Sequence, residues 1–255
     1  MSVAVRPRAA LALAGSGVVG VAAFCWPLFV SPGAGYAGTP WLFALVLPVV
    51  LGVALAEVSS GGMDAKAVAM LGVLSALGAA IRPLGAGTAG IETVFFLLVL
   101  GGRVFGPGFG FVLGNTMLFA SALLTGGIGP WLPYQMLASS WVALGAGLLP
   151  VVRGRAEVAL LAGYSAVASL VYGLLLNLSF WPFALSAEST SLSYVPGGAL
   201  GDNLVRLVGF SVATSLGWDV GRAVTTVVLV VVTGPVLLRT LRRAARKASF
   251  GSGLG

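Results

Sequence analysis

The sequence predicts an all-α protein that crosses a membrane several times. Of its 255 residues, 58% are hydrophobic and only 8% are charged, and the mean hydropathy is +1.04. A soluble domain usually carries about 25% charged residues, so this chain has too few charges to cover a surface that faces water. Its apolar residues also occur in long runs, and a helix needs about 20 of them to span a bilayer.

Two apolar runs near the N-terminus predict the first two membrane helices. They cover residues 9–30 and 41–56, and the Pro- and Gly-rich residues 31–40 between them predict a loop. A cleaved signal peptide is the alternative for the first run. That run is long for a signal sequence, and Phe24 before Cys25 does not suit a lipoprotein cleavage site. We therefore expect an uncleaved helix.

Six further apolar segments predict the rest of a helix bundle. They are residues 67–81, 91–102, 109–124, 131–152, 157–183 and 218–238. Residues 204–216 are moderately apolar, which predicts either an amphipathic helix at the membrane interface or an extension of the last helix. The chain thus divides into two N-terminal helices (1–64), a six-helix core (65–240) and a basic tail (241–255).

The distribution of Lys and Arg predicts the orientation in the membrane, because cytoplasmic ends carry more of these residues. With both termini in the cytoplasm, the inner side would hold Arg6, Arg8, Lys66, Arg103, Arg153, Arg155, Arg239, Arg242, Arg243, Arg246 and Lys247. Only Arg82, Arg206 and Arg222 would then lie outside. We expect a multi-pass plasma membrane protein with a cytoplasmic basic tail.

Missing residue types exclude several functions. The chain has no histidine, which excludes Ser-His and Cys-His catalysis and His-ligated zinc or haem. Its single cysteine, Cys25, excludes an internal disulfide and a multi-Cys metal site. Neither Lys66 nor Lys247 lies in a GxxxxGK loop, so no P-loop for ATP hydrolysis is present. The basic residues border apolar runs, which argues against nucleic acid. We expect no enzyme activity, no cofactor and no bound metal.

Polar and Trp residues gather at the predicted outer ends of the helices, where they can form a pocket for a polar ligand. The candidate ligand-binding residues are Arg82, Glu92, Trp131, Tyr134, Gln135, Asn177, Trp181, Trp218, Asp219 and Arg222. Each has an alternative role. The tryptophans can form an interfacial belt. Arg82 can pair with Glu92, and Asp219 can pair with Arg222 on one helix face. Asn177 can hydrogen-bond a neighbouring helix.

Small residues recur at intervals of three or four along the segment that ends near residue 81. They are Ala65, Ala69, Gly72, Ala76 and Ala80, which share one narrow face of a helix. Such a face lets another membrane helix approach closely. The approaching helix can belong to a partner protein or to the protein's own bundle.

Several motifs after residue 66 follow one another in a characteristic order. They are Arg82-Pro83 after the small-residue helix, Glu92-Thr-Val-Phe-Phe, Gly102-Arg-Val-Phe-Gly-Pro-Gly-Phe-Gly, Gly126-Gly-Ile-Gly-Pro-Trp-Leu-Pro-Tyr-Gln, Asn177 with Trp181-Pro182, and Trp218-Asp219-Val-Gly-Arg222. In this order and spacing the chain resembles the substrate-binding S components of energy-coupling-factor (ECF) transporters. The resemblance runs from about Lys66 to the C-terminus.

The resemblance implies a six-helix bundle that captures a vitamin near its outer face. It implies that the small-residue face packs against a transmembrane T component, and that two cytoplasmic ABC ATPases complete the importer. The overall pattern is similar to S components for cobalamin. Another vitamin, a nucleobase-like precursor and a stand-alone proton-coupled transporter are the alternatives. The two N-terminal helices depart from the usual core of this family.

Overall fold

The computed structural model describes residues 7–29, 65–85, 90–184 and 191–249, together with residues 52, 63 and 88. Over these residues the chain is helical and has no strand. The predicted second membrane helix, residues 41–56, lies outside the described residues apart from residue 52, and the end of the basic tail, residues 250–255, lies wholly outside them.

Eight α-helices are present in the described parts of the chain. They are α1 (Pro7–Phe24), α2 (Ala65–Ile81), α3 (Phe95–Phe105), α4 (Pro107–Thr125), α5 (Leu132–Leu148), α6 (Arg155–Ala184), α7 (Leu200–Thr214) and α8 (Leu216–Ser249). Short 3-10 turns, Trp26–Phe29 and Arg82–Leu84, follow α1 and α2. Each of the six segments predicted for the core therefore contains a helix, although several helix ends differ from the prediction.

Within the described residues, four helical segments are long and apolar enough to cross a membrane: Ala65–Leu84, Pro107–Thr125, Arg155–Phe183 and Leu216–Arg246. The structure is therefore compatible with a multi-pass membrane protein. Helix α3 is apolar but has only 11 residues. It spans about 16 Å, which is roughly half the thickness of the hydrocarbon core.

Helix α3 occupies the centre of the bundle. Its residues from Phe95 to Gly102 are all buried, and α4, α5 and α8 pack around it. Glycines allow these backbones to approach closely. A Cβ atom on Gly102 or Gly110 would collide with the carbonyl oxygen of Ala143 in α5. The core is thus held by close helix packing of the kind that stabilises membrane bundles.

The predicted helix at residues 204–216 exists and begins earlier, at Leu200. It ends at Thr214, and Ser215 separates it from α8. Helix α7 is therefore distinct from the last helix. Its position relative to a membrane interface stays a prediction.

The helices alternate in direction, so the bundle has two distinct ends. One end holds the close of α2 and the starts of α3, α5 and α8, and we call it the Arg82 end. The opposite end holds the close of α3 and α5 and the starts of α4 and α6, and we call it the Arg103 end.

Candidate ligand site and partner surface

The connection between α2 and α3 brings Glu92 close to the first turn of α8. Thr93 Oγ1 donates to the Ile81 carbonyl oxygen at 2.8 Å, which closes the connection. Gly90 has a φ of 75°, and a Cβ atom there would collide with the Trp218 carbonyl group. Glycine satisfies both constraints, because it adopts positive φ and leaves room for a close backbone approach.

Arg82 is half-buried and bridges α2, α4 and α5. Its Nη1 lies 3.4 Å from Ser121 Oγ, and its Nη2 lies 3.4 Å from Gln135 Oε1. Both distances exceed the usual 2.7–3.2 Å for an N–H donor and an oxygen acceptor. The guanidinium group is thus positioned between two neutral partners that hold it weakly.

Glu92 is half-buried, and among the described residues its carboxylate forms no ion pair within 4.0 Å. Burial raises the pKa of the Glu92 carboxyl group. The positive charges of Arg82 and Arg222 oppose this shift, as do the backbone N–H groups of Val94 and Thr93. Glu92 therefore faces two guanidinium groups without direct contact with either.

Arg222 and Asp219 form a direct ion pair near the start of α8. Arg222 Nη1 lies 2.7 Å from Asp219 Oδ1, and the two side chains are 15% and 9% exposed. The same nitrogen donates to the Ser169 carbonyl oxygen at 3.1 Å. The guanidinium group also lies 4.8 Å from the Tyr172 ring centroid and 5.6 Å from that of Phe95. The structure thus forms the pairing that was the alternative to ligand contact.

Asn177 links α6 to the junction between α7 and α8. Its Nδ2 donates to Ser211 Oγ at 3.0 Å and to Ser215 Oγ. Ser215 Oγ in turn donates to Asp219 Oδ2 at 3.2 Å. Here too the structure shows the interhelical role that was the alternative for this residue.

The four candidate aromatic residues fall into two groups. Tyr134 and Trp181 are 0% and 1% exposed. The Tyr134 hydroxyl donates to a carbonyl of α1 at 3.3 Å, and Trp181 Nε1 donates to a carbonyl before α7 at 2.7 Å. Both residues therefore pack as core. Trp131 and Trp218 are 44% and 46% exposed at the Arg82 end.

The structure thus gathers five of the ten candidates into one charged cluster: Arg82, Glu92, Gln135, Asp219 and Arg222. Trp131 and Trp218 border the same end, whereas Tyr134, Asn177 and Trp181 connect helices. We use the name "charged cluster" for these five residues below. Within it, Asp219 and Arg222 pair with each other, whereas Arg82 and Glu92 form no ion pair within 4.0 Å among the described residues.

A second group of charges, at the Arg103 end, was missed by sequence reasoning. Glu157 Oε1 accepts from Arg103 Nε at 2.7 Å and from Arg242 Nη2 at 2.6 Å. Arg103 also donates to the carbonyl oxygens of Leu149 and Pro150 at 2.9 and 3.1 Å. The sequence contained one indication that Glu157 has a basic partner. Glu157 begins an apolar helix, where an acid needs a partner, and it follows the basic turn Arg153-Gly-Arg155.

The predicted small-residue face of α2 is exposed. All five of its residues, Ala65, Ala69, Gly72, Ala76 and Ala80, are exposed, and a Cβ atom on Gly72 would meet nothing within 4 Å. The opposite face packs on α4. There Ser75 Oγ lies 2.7 Å from Thr116 Oγ1, and a Cβ atom on Gly78 would collide with Met117. The protein's own bundle therefore uses the other side of this helix.

Among the described residues, no three His, Cys, Asp or Glu side chains lie together as a group that could hold a metal ion. No protein family, curated protein or solved structure matches the chain. The resemblance to ECF S components therefore rests on the sequence motifs alone.

Proposed function

We propose that the protein is the substrate-binding S component of an ECF-type importer in a bacterial plasma membrane. It captures a vitamin at the Arg82 end, and a T component and two ABC ATPases deliver that vitamin to the cytoplasm. Cobalamin is the vitamin to test first. Both termini lie in the cytoplasm, because the Arg103 end carries most of the Lys and Arg residues.

The observation that carries this proposal is the exposed small-residue face of α2. Lipid tails are as apolar as a leucine side chain. Contact with lipid therefore gives a membrane helix no reason to present Ala and Gly in preference to larger apolar residues. Small residues instead permit the close backbone approach on which helix association in membranes depends. The protein's own packing uses Ser75, Gly78 and Ala79 on the other side of α2. The exposed face is thus available to a helix of another protein.

The charged cluster at the Arg82 end supports the ligand-binding half of the proposal. Binding sites of membrane transporters use ionisable side chains that face the bundle interior, because such residues are costly elsewhere in a membrane. Glu92 and Arg82 fit this description, since each is half-buried and neither forms a direct ion pair in the described part of the chain.

The decisive experiment is the substitution Ala76→Leu in the chain coexpressed with the T component and ATPases of the same genome. A leucine side chain would hold two helix backbones apart. We expect the variant to lose copurification with the T component and to lose vitamin uptake. The isolated subunit should still bind cyanocobalamin as the wild type does, because Ala76 lies outside the bundle's own packing.

Two matched controls separate docking from folding. Ala159→Leu introduces the same change at an exposed position of α6 and should preserve copurification. Ala79→Leu enlarges a side chain that is 0% exposed, so overpacking should reduce stability and ligand binding together. Wild-type uptake by Ala76→Leu would contradict the proposal. Equal losses of ligand binding and uptake in that variant would instead assign the face to the protein's own core.

A further inference from the structure

Positive charge accumulates at the Arg103 end, around the contact between α6 and α8. Glu157 is the only acid among the described residues of this end, and Arg103 and Arg242 already share it. Four further arginines lie within four residues of Glu157 or Arg242 along the chain, and all four are exposed: Arg153, Arg155, Arg239 and Arg243. We call these four residues and Arg242 the basic surface. Its charge exceeds what the described acid can neutralise.

The structure holds Arg242 in place at this surface. Its Nη2 donates to Glu157 Oε1 at 2.6 Å, and the Glu157 side chain is 3% exposed whereas that of Arg242 is 40% exposed. A guanidinium group has five N–H donors, so this one contact leaves donors for a second acceptor. Because the buried carboxylate already orders the arginine, a second acceptor binds to it with a smaller loss of side-chain freedom.

The exposed face of α8 changes from apolar to basic along its length. Four exposed residues recur at intervals of three or four, and so share one face of the helix: Val232, Val236, Arg239 and Arg243. The same order occurs after α5, where the exposed Leu148 and Val151 precede Arg153. An apolar surface that ends in arginines matches the two parts of an anionic phospholipid, since acyl chains contact apolar side chains and the phosphate accepts from guanidinium groups. A free phosphate would use the arginines alone.

We propose that the basic surface binds the phosphate of an anionic phospholipid, such as phosphatidylglycerol, in the leaflet at the Arg103 end. Arg242 is the anchored donor, and Arg239 and Arg243 add charge on the same helix. The acyl chains lie along the valine face of α8. The inference goes beyond the proposed function. It requires that the chain spans a membrane, but it involves no vitamin, T component or ATPase.

The test compares two lipids with the same acyl chains and different net charge, dioleoyl phosphatidylglycerol and dioleoyl phosphatidylcholine. Each is titrated into the purified full chain in a neutral detergent, and lipid adducts are counted by native mass spectrometry. We expect phosphatidylglycerol to bind about 10-fold more tightly or better, as several basic residues beside one anionic headgroup should give. Excess inorganic phosphate should not displace it, because the acyl chains contribute to binding.

Two variants and one control locate the site. Arg242→Gln should weaken phosphatidylglycerol binding by about fivefold, the factor expected for one basic residue near an anionic headgroup. The double variant Arg239→Gln with Arg243→Gln removes two exposed charges and should weaken binding further, without loss of folding. Lys66→Gln is the control, because Lys66 is an exposed residue at the start of α2, at the same end of the bundle but on another helix. It removes the same charge and should leave the affinity unchanged.

Several results would overturn the assignment. Equal affinity for the two lipids, or unchanged affinity in the double variant, would show that the arginines do not select the headgroup. An equal loss in Lys66→Gln would leave only a diffuse attraction, and displacement by inorganic phosphate would leave only a site for a free anion. If the double variant keeps its lipid but no longer copurifies with the ATPases, the basic surface belongs to a protein partner. Failure of the proposed function is separate, because the lipid titration uses the chain alone.

Discussion

Glu157 provides the most direct test of the structure, because its two arginine partners, Arg103 and Arg242, lie far from it in the sequence. We consider the substitution Glu157→Gln, which keeps the size of the side chain but removes its charge. In the wild type, one carboxylate oxygen accepts from Arg103 at 2.7 Å and from Arg242 at 2.6 Å. The substitution should therefore leave both arginines without their acid.

The structure predicts that the two arginines respond differently. The Arg103 side chain is 6% exposed and Glu157 is 3% exposed, whereas Arg242 is 40% exposed. Breaking a buried ion pair from one side typically costs about 3–5 kcal/mol, since it leaves an uncompensated buried charge. Arg103 keeps its carbonyl acceptors at Leu149 and Pro150, so we expect a value near the lower limit, about 3 kcal/mol. Arg242→Gln should cost at most about 1 kcal/mol, as exposed pairs do.

The measurement is reversible unfolding of the purified protein in mixed micelles with increasing SDS, followed by circular dichroism. A difference of about 2 kcal/mol between the two variants corresponds to about a 30-fold change in the unfolding equilibrium. A double variant, Arg103→Gln with Glu157→Gln, should cost less than the sum of its parts, because it leaves no buried charge unpaired at this contact. Equal stability of Glu157→Gln and Arg242→Gln would refute the buried ion pair.

Two further predictions concern the Arg82 end. Gly173→Ala should destabilise the protein by about 1–3 kcal/mol, because its methyl group would collide with the Asp219 carboxylate. Gly163→Ala in the same helix meets nothing within 4 Å and should be neutral or stabilising in the same unfolding assay. The raised pKa of Glu92 means that the folded state binds this proton more tightly than the unfolded state does. The contribution of Glu92 is therefore full below the ordinary carboxyl pKa and is lost as pH rises through the folded-state pKa. The stability of the wild type relative to Glu92→Gln should therefore fall as pH rises above the ordinary carboxyl pKa, and a difference that rises with pH would contradict the burial of this carboxyl group.

Runs of apolar residues and the turns between them were sufficient to predict approximately where the described helices lie. The runs of apolar residues between Gly- and Pro-rich turns predicted α2, α4 and α6 to within a few residues. The start of α3 was predicted too early, at residue 91, because Ile91 and Val94 are apolar and only Glu92 and Thr93 separate them. In the structure these residues form the turn that carries Glu92. The end of α8 was predicted too early as well, since the basic residues after 238 lower the hydropathy without breaking the helix.

The partners of individual side chains could not be predicted, because they depend on contacts far apart in the sequence. Spacing placed Asp219 and Arg222 on one helix face, and the structure pairs them. Spacing also placed Ala76 on a face of small residues, but it could not show whether that face turns inward or outward. The tryptophans illustrate the same limit. A Trp near a helix end fits an interfacial belt or a ligand site, yet Trp181 is 1% exposed because α7 folds back over it.

The position of Asp219 bears on the alternative of a stand-alone proton-coupled transporter. Asp219 lies in the first turn of α8, which suggests an acid near the surface. In the structure, however, its carboxylate packs against Gly173, eleven residues before the end of α6. This is about 16 Å along the helix axis, so Asp219 lies deeper than the sequence indicated. An acid at such a depth is what a proton-coupled transporter would use.

The ion pair argues against that use. Asp219 lies 2.7 Å from Arg222, and separating the two would leave a guanidinium group buried and uncompensated, at a cost of several kcal/mol. Glu92 has no ion pair within 4.0 Å in the described part of the chain, and it lies in the connection between α2 and α3, close to the first turn of α8. Asp219 and Arg222 instead hold α8 against α6, since Arg222 also donates to the Ser169 carbonyl oxygen of α6.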